Sequence, residues 1–188
     1  MEAGDLSKKF TEATKLALSG AYTSIIFDCD GVLWSGKVPI PHARDFLHLL
    51  VKQGIKPLFL TNTSLYGPED IQVKLKTLME MDVPMEDIYT ANVLAGQYVK
   101  QKLIPLNKKK AYVIGREVLV QEVRKSGIEV IPGSLHNDKY GTYKFENPDE
   151  MDFRDVDVVV MGYDDNINLY KMAFATYAVQ CGVNQVLT

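Results

Sequence analysis

The sequence predicts an α/β fold in which a parallel sheet is covered by helices on both faces. Two observations support this prediction. Short runs of β-branched and aromatic residues alternate with apolar residues at helical spacing, and polar loops follow several of the predicted strands. Alternating strands and helices are typical of parallel sheets, because a crossover helix returns the chain to the same edge. The 188 residues suffice for one domain, or for one domain and part of a second.

The first half of the chain repeats the order strand, loop, helix. Its strands are apolar runs of the kind that fill buried sheets, and its helices show apolar side chains on one face. The predicted strands are 22–27 and 56–60, with a further brief extended piece at Ile88 and Tyr89. The predicted helices are 5–18, 41–54, 67–81 and one that follows this piece and runs to residue 103, with Thr90 as its N-cap.

The same order restarts after Lys108, which predicts a domain boundary near residues 104–110. The irregular stretch 132–154 is long enough to indicate mobility or a role in binding. The predicted strands of this half are 111–115, 128–131, 156–162 and 183–188, and the predicted helices are 116–127 and 168–182.

The composition argues against nucleic-acid and membrane partners. There are 21 basic and 24 acidic side chains, and the basic run 108–110 is short enough to be a solvated loop. No apolar stretch approaches the roughly 20 residues that span a bilayer. A signal peptide needs an uninterrupted apolar stretch near the N-terminus, and acidic side chains interrupt it here at Glu2, Asp5 and Glu12. A signal peptide is therefore not expected, and the predicted location is cytoplasmic.

The cysteines and histidines form no recognisable site in the sequence. Cys29 and Cys181 lie far apart without a CxxC pattern, so neither a disulfide framework nor a zinc site is predicted. His42, His48 and His136 fall on a predicted helix or loop and are expected to contact solvent. The acidic residues are therefore the candidates for catalysis or metal binding.

In open parallel sheets, ligands bind at the carboxyl ends of the strands, and the loop 28–31 (DCDG) follows the first predicted strand. If the chain stays extended, Asp28 and Asp30 point to the same side and Cys29 to the other. Two carboxylates so close favour a metal ion, or a division of roles in which one is ionised and the other carries a proton. The alternative is an ordinary acidic turn containing a glycine.

Two further loops follow predicted strands. Residues 61–64 (TNTS) offer hydroxyl and amide groups that suit a phosphoryl oxygen, but they could instead cap the next helix. Residues 162–165 (GYDD) supply acids for a metal or a substrate, although acids are also favoured near a helix N-terminus.

Taken in order, these loops resemble the motifs of the haloacid dehalogenase superfamily of phosphohydrolases. The strings DCDGVLW (28–34), LTNTS (60–64), YVIGRE (112–117) and VVVMGYDDNINLYKM (158–172) are similar to the branch containing 4-nitrophenyl phosphatase, phosphoglycolate phosphatase and pyridoxal phosphatase. The resemblance implies a Rossmann-like core with an inserted α/β cap domain. The expected limits are 1–107 for the first part of the core, 108–182 for the cap and 183–188 for the start of the return to the core.

The resemblance also implies a mechanism and a cofactor. Asp28 is expected to be the nucleophile that forms an aspartyl phosphate, and Asp30 the acid and base. Thr61, Asn62 and Gly31 are expected to bind the phosphoryl group. Mg²⁺ is expected at Asp28 and Asp30, held by the Asp28 carboxylate and the Asp30 backbone carbonyl. The implied function is magnesium-dependent hydrolysis of a small phosphorylated metabolite.

Two motifs of the family are not found, namely a lysine and a GDxxxTD-like acidic loop, so we expect a truncated chain with weak activity. The alternative hypothesis is a non-catalytic relative that acts by self-association or by binding a partner, and a homo-oligomer fits either hypothesis. A phosphoacceptor domain of the receiver type is disfavoured by the DxDG order followed by the Thr-Asn loop.

Overall fold

The computed structural model of the chain describes residues 15, 19–139 and 156–188. They divide into two compact units, one within Met1–Thr61 and Pro68–Tyr89, the other within Asn62–Gly67 and Thr90–Thr188. The predicted helix 5–18, apart from Lys15, and residues 140–154 of the irregular stretch lie outside the described residues. In the described part of the chain, no helix is both long and apolar enough to cross a membrane.

Among the described residues, apart from Lys15, the first unit contains a three-stranded sheet and two α-helices. The strands are β1 (Ser24–Phe27), β4 (Lys56–Thr61) and β5 (Ile88–Thr90), in the order β1-β4-β5, and the helices are α1 (Ala43–Lys52) and α2 (Pro68–Leu78). A short antiparallel pair, β2 (Trp34–Ser35) and β3 (Val38–Pro39), follows β1. β1 and β4 are parallel, with Phe27 opposite Phe59.

The helices of the first unit cover one face of this sheet. Phe59 packs with Leu47 of α1 and with Ile71 and Leu75 of α2 in one apolar cluster. Ile26, on the opposite face of β1, is 63% exposed. In the described residues, the predicted cover on both faces is therefore not found along β1, which lies at the sheet edge.

The second unit contains a four-stranded parallel sheet. Its strands are β6 (Lys110–Ile114), β7 (Glu129–Pro132), β8 (Val158–Met161) and β9 (Asn184–Leu187), in the order β7-β6-β8-β9. Its helices are α3 (Ala91–Tyr98), α4 (Glu117–Arg124) and α5 (Leu169–Gln180).

Both faces of this second sheet are covered, as predicted. Val113 of β6 packs in one cluster with residues of α3 and α4, whereas Tyr112 packs in another cluster with Phe174 of α5. Neighbouring residues of β6 thus enter different cores because side chains alternate along a strand. The fold class is confirmed as α/β with parallel sheets.

The helix predicted between Thr90 and residue 103 is interrupted, whereas the extended piece predicted at Ile88 and Tyr89 is found as part of β5. The start of the helix is correct, since the Thr90 hydroxyl accepts a hydrogen bond from the Val93 amide. α3 ends at Tyr98, however, and a π-helical turn (Val99–Leu103) and a 3₁₀ turn (Ile104–Leu106) follow. The domain limits at 107 and 182 stay predictions.

Candidate active site

Asp28 and Asp30 directly follow β1 in a tight turn. Both are exposed, while Cys29 between them is buried, which is the alternation predicted from the sequence. The Cys29 carbonyl accepts a hydrogen bond from the Leu33 amide (2.9 Å). Gly31 has a φ of +82°, a conformation that favours glycine, and its amide donates to the Trp34 carbonyl (2.7 Å).

Cys29 has the chemistry of a core residue. Burial, and then the neighbouring charges of Asp28 and Asp30, raise the pKa of its thiol to about 12. The thiol is therefore neutral near pH 7, and a neutral thiol is a poor nucleophile. This agrees with its predicted place on the opposite side of the strand.

The Asp30 carboxylate has two neighbours that were not predicted from the sequence. The indole Nε1 of Trp34 donates to Asp30 Oδ1 (2.8 Å), and the Lys74 Nζ lies 3.9 Å from the same oxygen. Lys74 also lies over the Trp34 ring, 5.3 Å from its centroid. Trp34 follows Asp30 by four residues and could have been considered, whereas Lys74 is brought there only by the packing of α2.

Thr61 is the last residue of β4 and is buried. Because β1 and β4 are parallel and Phe27 pairs with Phe59, Asp28 and Thr61 follow their strands at the same edge of the sheet. The two predicted site residues therefore lie at carboxyl ends of neighbouring strands, where open α/β sheets bind ligands.

Asn62, the next predicted site residue, is exposed and belongs by its contacts to the second unit. We call Asn62–Gly67 the clamped loop, because side chains of that unit hold its backbone. Asn92 Nδ2 donates to the carbonyls of Ser64 (3.2 Å) and Tyr66 (3.1 Å). The Ser64 hydroxyl accepts a hydrogen bond from the Tyr163 amide (3.2 Å).

The acids of the third predicted loop are both in ion pairs. Asp164 accepts a hydrogen bond from the buried Lys171 Nζ (2.6 Å). Asp165 pairs with the Arg116 guanidinium through two hydrogen bonds (2.6 and 2.8 Å), and this partner lowers the pKa of the Asp165 carboxyl. These contacts favour a structural role for the two acids.

The donors at residues 28–30 fit a magnesium ion. Mg²⁺ is commonly bound by one or two carboxylates and completed by water and phosphate oxygens. Asp28 and Asp30 present exposed carboxylates, and among the described residues the Asp30 carbonyl accepts no backbone hydrogen bond within the turn. No cluster of three or more acidic, histidine or cysteine ligands occurs in the described ranges, so this set is small.

A cavity of about 570 Å³ in the first unit lies away from these residues. It is lined by Lys56, at the amino end of β4, and by Asp87, which pairs with Lys56 (2.7 Å). Because the predicted site follows the carboxyl ends of the strands, this cavity is not part of it.

Comparison with known proteins agrees with the resemblance in the motifs. Residues 25–129, more than half of the chain, match the family described as haloacid dehalogenase-like hydrolase. Phosphoglycolate phosphatase 2 of Arabidopsis thaliana is 30% identical over 164 residues, which cover 87% of this chain and 54% of that protein. Glycerol-3-phosphate phosphatase of Rattus norvegicus is 32% identical over 177 residues, which cover 90% of this chain and 53% of that protein.

A solved structure supports the same relationship. A hypothetical protein from Pyrococcus horikoshii is 32% identical and has a TM-score of 0.67, with 84% of this chain and 54% of that chain covered. The chain thus spans about half the length of the curated relatives it matches.

Proposed function

Since the chain belongs to the haloacid dehalogenase-like hydrolases, we propose that the protein hydrolyses phosphomonoesters of small metabolites at Asp28 and Asp30. The observation that carries this proposal is the parallel register of β1 and β4. It brings Asp28 and Thr61 to the carboxyl ends of adjacent strands, and both side chains suit phosphoryl chemistry.

In the first step, a carboxylate oxygen of Asp28 attacks phosphorus, and the bond between phosphorus and the ester oxygen breaks. Asp30 in its carboxylic acid form gives its proton to the departing oxygen. The products are an alcohol and an aspartyl phosphate on Asp28, so one difficult displacement becomes two easier ones.

In the second step, Asp30 is a carboxylate and takes a proton from water, whose oxygen attacks phosphorus. The bond to Asp28 breaks, and inorganic phosphate leaves with both aspartates restored to their starting states. The Thr61 hydroxyl and the Asn62 amide are the groups proposed to bind the phosphoryl oxygens. Gly31 was predicted to join them, but its amide already donates to the Trp34 carbonyl (2.7 Å), so we propose no such role for that amide.

Magnesium is the proposed cofactor, with the Asp28 carboxylate and the Asp30 backbone carbonyl as its protein ligands. When bound, such a cation offsets the repulsion between an anionic nucleophile and an anionic phosphate. The exposed carboxylates described above support this assignment.

The proposed substrate class is a small phosphorylated metabolite. The names of the relatives, phosphoglycolate phosphatase and glycerol-3-phosphate phosphatase, support this class for the whole protein. A cytoplasmic location stays a prediction.

Beryllium fluoride, which mimics an aspartyl phosphate, tests the proposed nucleophile without requiring turnover. With Mg²⁺ present, we expect the chain to bind it in a saturable manner, seen as a new ¹⁹F resonance. Asp28→Asn should abolish the bound signal, because an amide is a poor ligand for beryllium. Asp45→Asn, an exposed aspartate of α1, is the matched control and should retain the signal. An unchanged signal in Asp28→Asn would exclude Asp28 as the nucleophile.

A second candidate function is self-association without catalysis. It is favoured by the exposed apolar side chains of Ile26 and Leu60, which are 63% and 42% exposed. Contiguous exposed apolar surface marks association sites. Light scattering distinguishes the two candidates: a dimer that Ile26→Lys disrupts, together with no binding of beryllium fluoride, would favour the second.

A further inference from the structure

In the described part of the chain, one of the two Asp30 carboxylate oxygens is contacted by other side chains. Trp34 Nε1 donates to Oδ1 at 2.8 Å, and the Lys74 ammonium group lies 3.9 Å from that same oxygen. Among the described residues, Oδ2 has no hydrogen-bond partner, and the Asp30 side chain is half exposed. The two oxygens therefore differ strongly in their surroundings.

The groups that hold Oδ1 are themselves fixed by packing. Trp34 is completely buried in the apolar cluster of the first unit, together with Leu47 and Leu75. Leu75 of α2 follows Lys74, which lies over the Trp34 ring at 5.3 Å and is only 24% exposed. A cation over an indole face is an attractive arrangement. Because the indole cannot rotate in this packing, its N–H has one fixed direction.

We propose that Trp34 and Lys74 are positioning residues that hold Asp30 by Oδ1, so that Oδ2 is the oxygen that exchanges the proton with the leaving group and with water. This inference rests on the proposed role of Asp30 as acid and base. In the first step the proton on Oδ2 passes to the ester oxygen, and in the second step Oδ2 takes a proton from water. Oδ1 keeps its hydrogen bond from the indole throughout.

The positioning matters because it restricts rotation of the Asp30 carboxyl group. An unrestrained aspartate turns about its Cβ–Cγ bond and offers either oxygen in many directions, whereas proton transfer requires a defined donor position. Holding Oδ1 removes that freedom before the substrate binds. The effect on the first step should be greatest when the leaving group needs a proton, as in alkyl esters, and small for an aryl ester with a stable leaving group. The second step is common to both esters.

Fluorescence tests the contact without activity, because Trp34 is the only tryptophan of the chain. Asp30→Asn replaces the carboxyl group beside the indole with an amide, and we expect it to shift the emission maximum of Trp34. Asp45→Asn is the control and should leave the emission unchanged. Identical emission in Asp30→Asn and the unmodified chain would overturn the inference.

Kinetics test the positioning role. Trp34→Phe keeps an aromatic ring but removes the N–H, and Lys74→Met keeps the apolar stem but removes the charge. Each should lower kcat/KM, which reports the first step, by about 10-fold for an alkyl phosphate, a fraction of the 10²-fold to 10⁴-fold that a general acid supplies, with little change in kcat/KM for an aryl phosphate. Lys74→Arg should restore much of the loss. Lys76→Met, on the same helix, should change neither rate.

The controls separate this inference from the proposed function. In an Asp30→Asn background, Trp34→Phe and Lys74→Met should have no further effect on the alkyl ester. Equal losses on both esters, or full losses in that background, would show a merely structural role and overturn the inference. If Asp30→Asn itself lowers kcat/KM equally for both esters, the proposed acid role of Asp30 fails instead.

Discussion

Replacing the buried Lys171 tests how much a buried ion pair stabilises the second unit. The Lys171 side chain is completely buried, and its Nζ donates to Asp164 Oδ2 (2.6 Å), Asn137 Oδ1 (2.6 Å) and the Asn166 carbonyl (2.9 Å). Lys171→Met keeps the apolar stem but leaves the Asp164 carboxylate, which is 8% exposed, without its cation. Breaking a buried pair in this way costs about 3–5 kcal/mol. We expect the free energy of unfolding to fall by that amount.

Urea unfolding followed by far-ultraviolet circular dichroism measures this loss. Lys76→Met is the matched control, because its pair with Asp82 (2.8 Å) lies on the surface and water replaces it, so its unfolding should be nearly unchanged. Adding Asp164→Asn to Lys171→Met removes the stranded charge and should recover part of the stability. A loss below about 1 kcal/mol for Lys171→Met would refute the reasoning, since it would mean that the buried carboxylate tolerates the absence of its partner.

Three further predictions concern the second unit. Asn92→Asp removes both N–H donors to the clamped loop. Amide hydrogen exchange in that loop should therefore accelerate, and the free energy of unfolding should fall by about 1–3 kcal/mol. Exchange as slow as in the unmodified chain would contradict this prediction. Burial, and then the positive charges of Lys139 and Lys171, lower the pKa of His136 below its usual value of 6.5. The unfolded state therefore binds a proton at this histidine more readily than the folded state. The free energy of unfolding should fall as the pH drops below about 6.5. Urea unfolding near pH 7 and near pH 5 measures the difference, and His136→Gln should remove it. Gly96→Ala would place a Cβ 2.5 Å from the Glu122 carbonyl oxygen, where α3 and α4 meet. A thermal melt should show that the free energy of unfolding falls by about 1–3 kcal/mol. Equal stability would show that the two helices can move apart.

His136 shows how a local interpretation can miss its neighbours. The sequence places it in a loop and suggests contact with solvent, but its ring packs against Phe174 and its Nδ1 is hydrogen-bonded to the Tyr112 hydroxyl (2.8 Å). Burial raises the pKa of that hydroxyl well above its usual value, so Tyr112 stays protonated. The aromatic partners come from β6 and α5, which are distant along the chain.

What the sequence determined by itself is the order of strands and helices and the identity of the polar residues that end β1 and β4. These features depend on short-range properties: side-chain alternation in a strand, apolar spacing in a helix, and the preference of glycine and polar residues for the loops between them. Asp28, Asp30 and Thr61 could be selected for that reason, since each directly follows or ends an apolar run.

What only the tertiary structure decided is which side chains meet. Lys74 reaches Asp30 because α2 packs over Trp34, and the clamped loop joins the second unit because Asn92, 26 residues beyond Tyr66, donates to its carbonyls. Lys171 lies in a helix whose sequence does not reveal that its charge is buried and satisfied by three oxygens. Contacts of this kind depend on how elements far apart in the chain pack together, and the local periodicity of a single sequence carries no information about them.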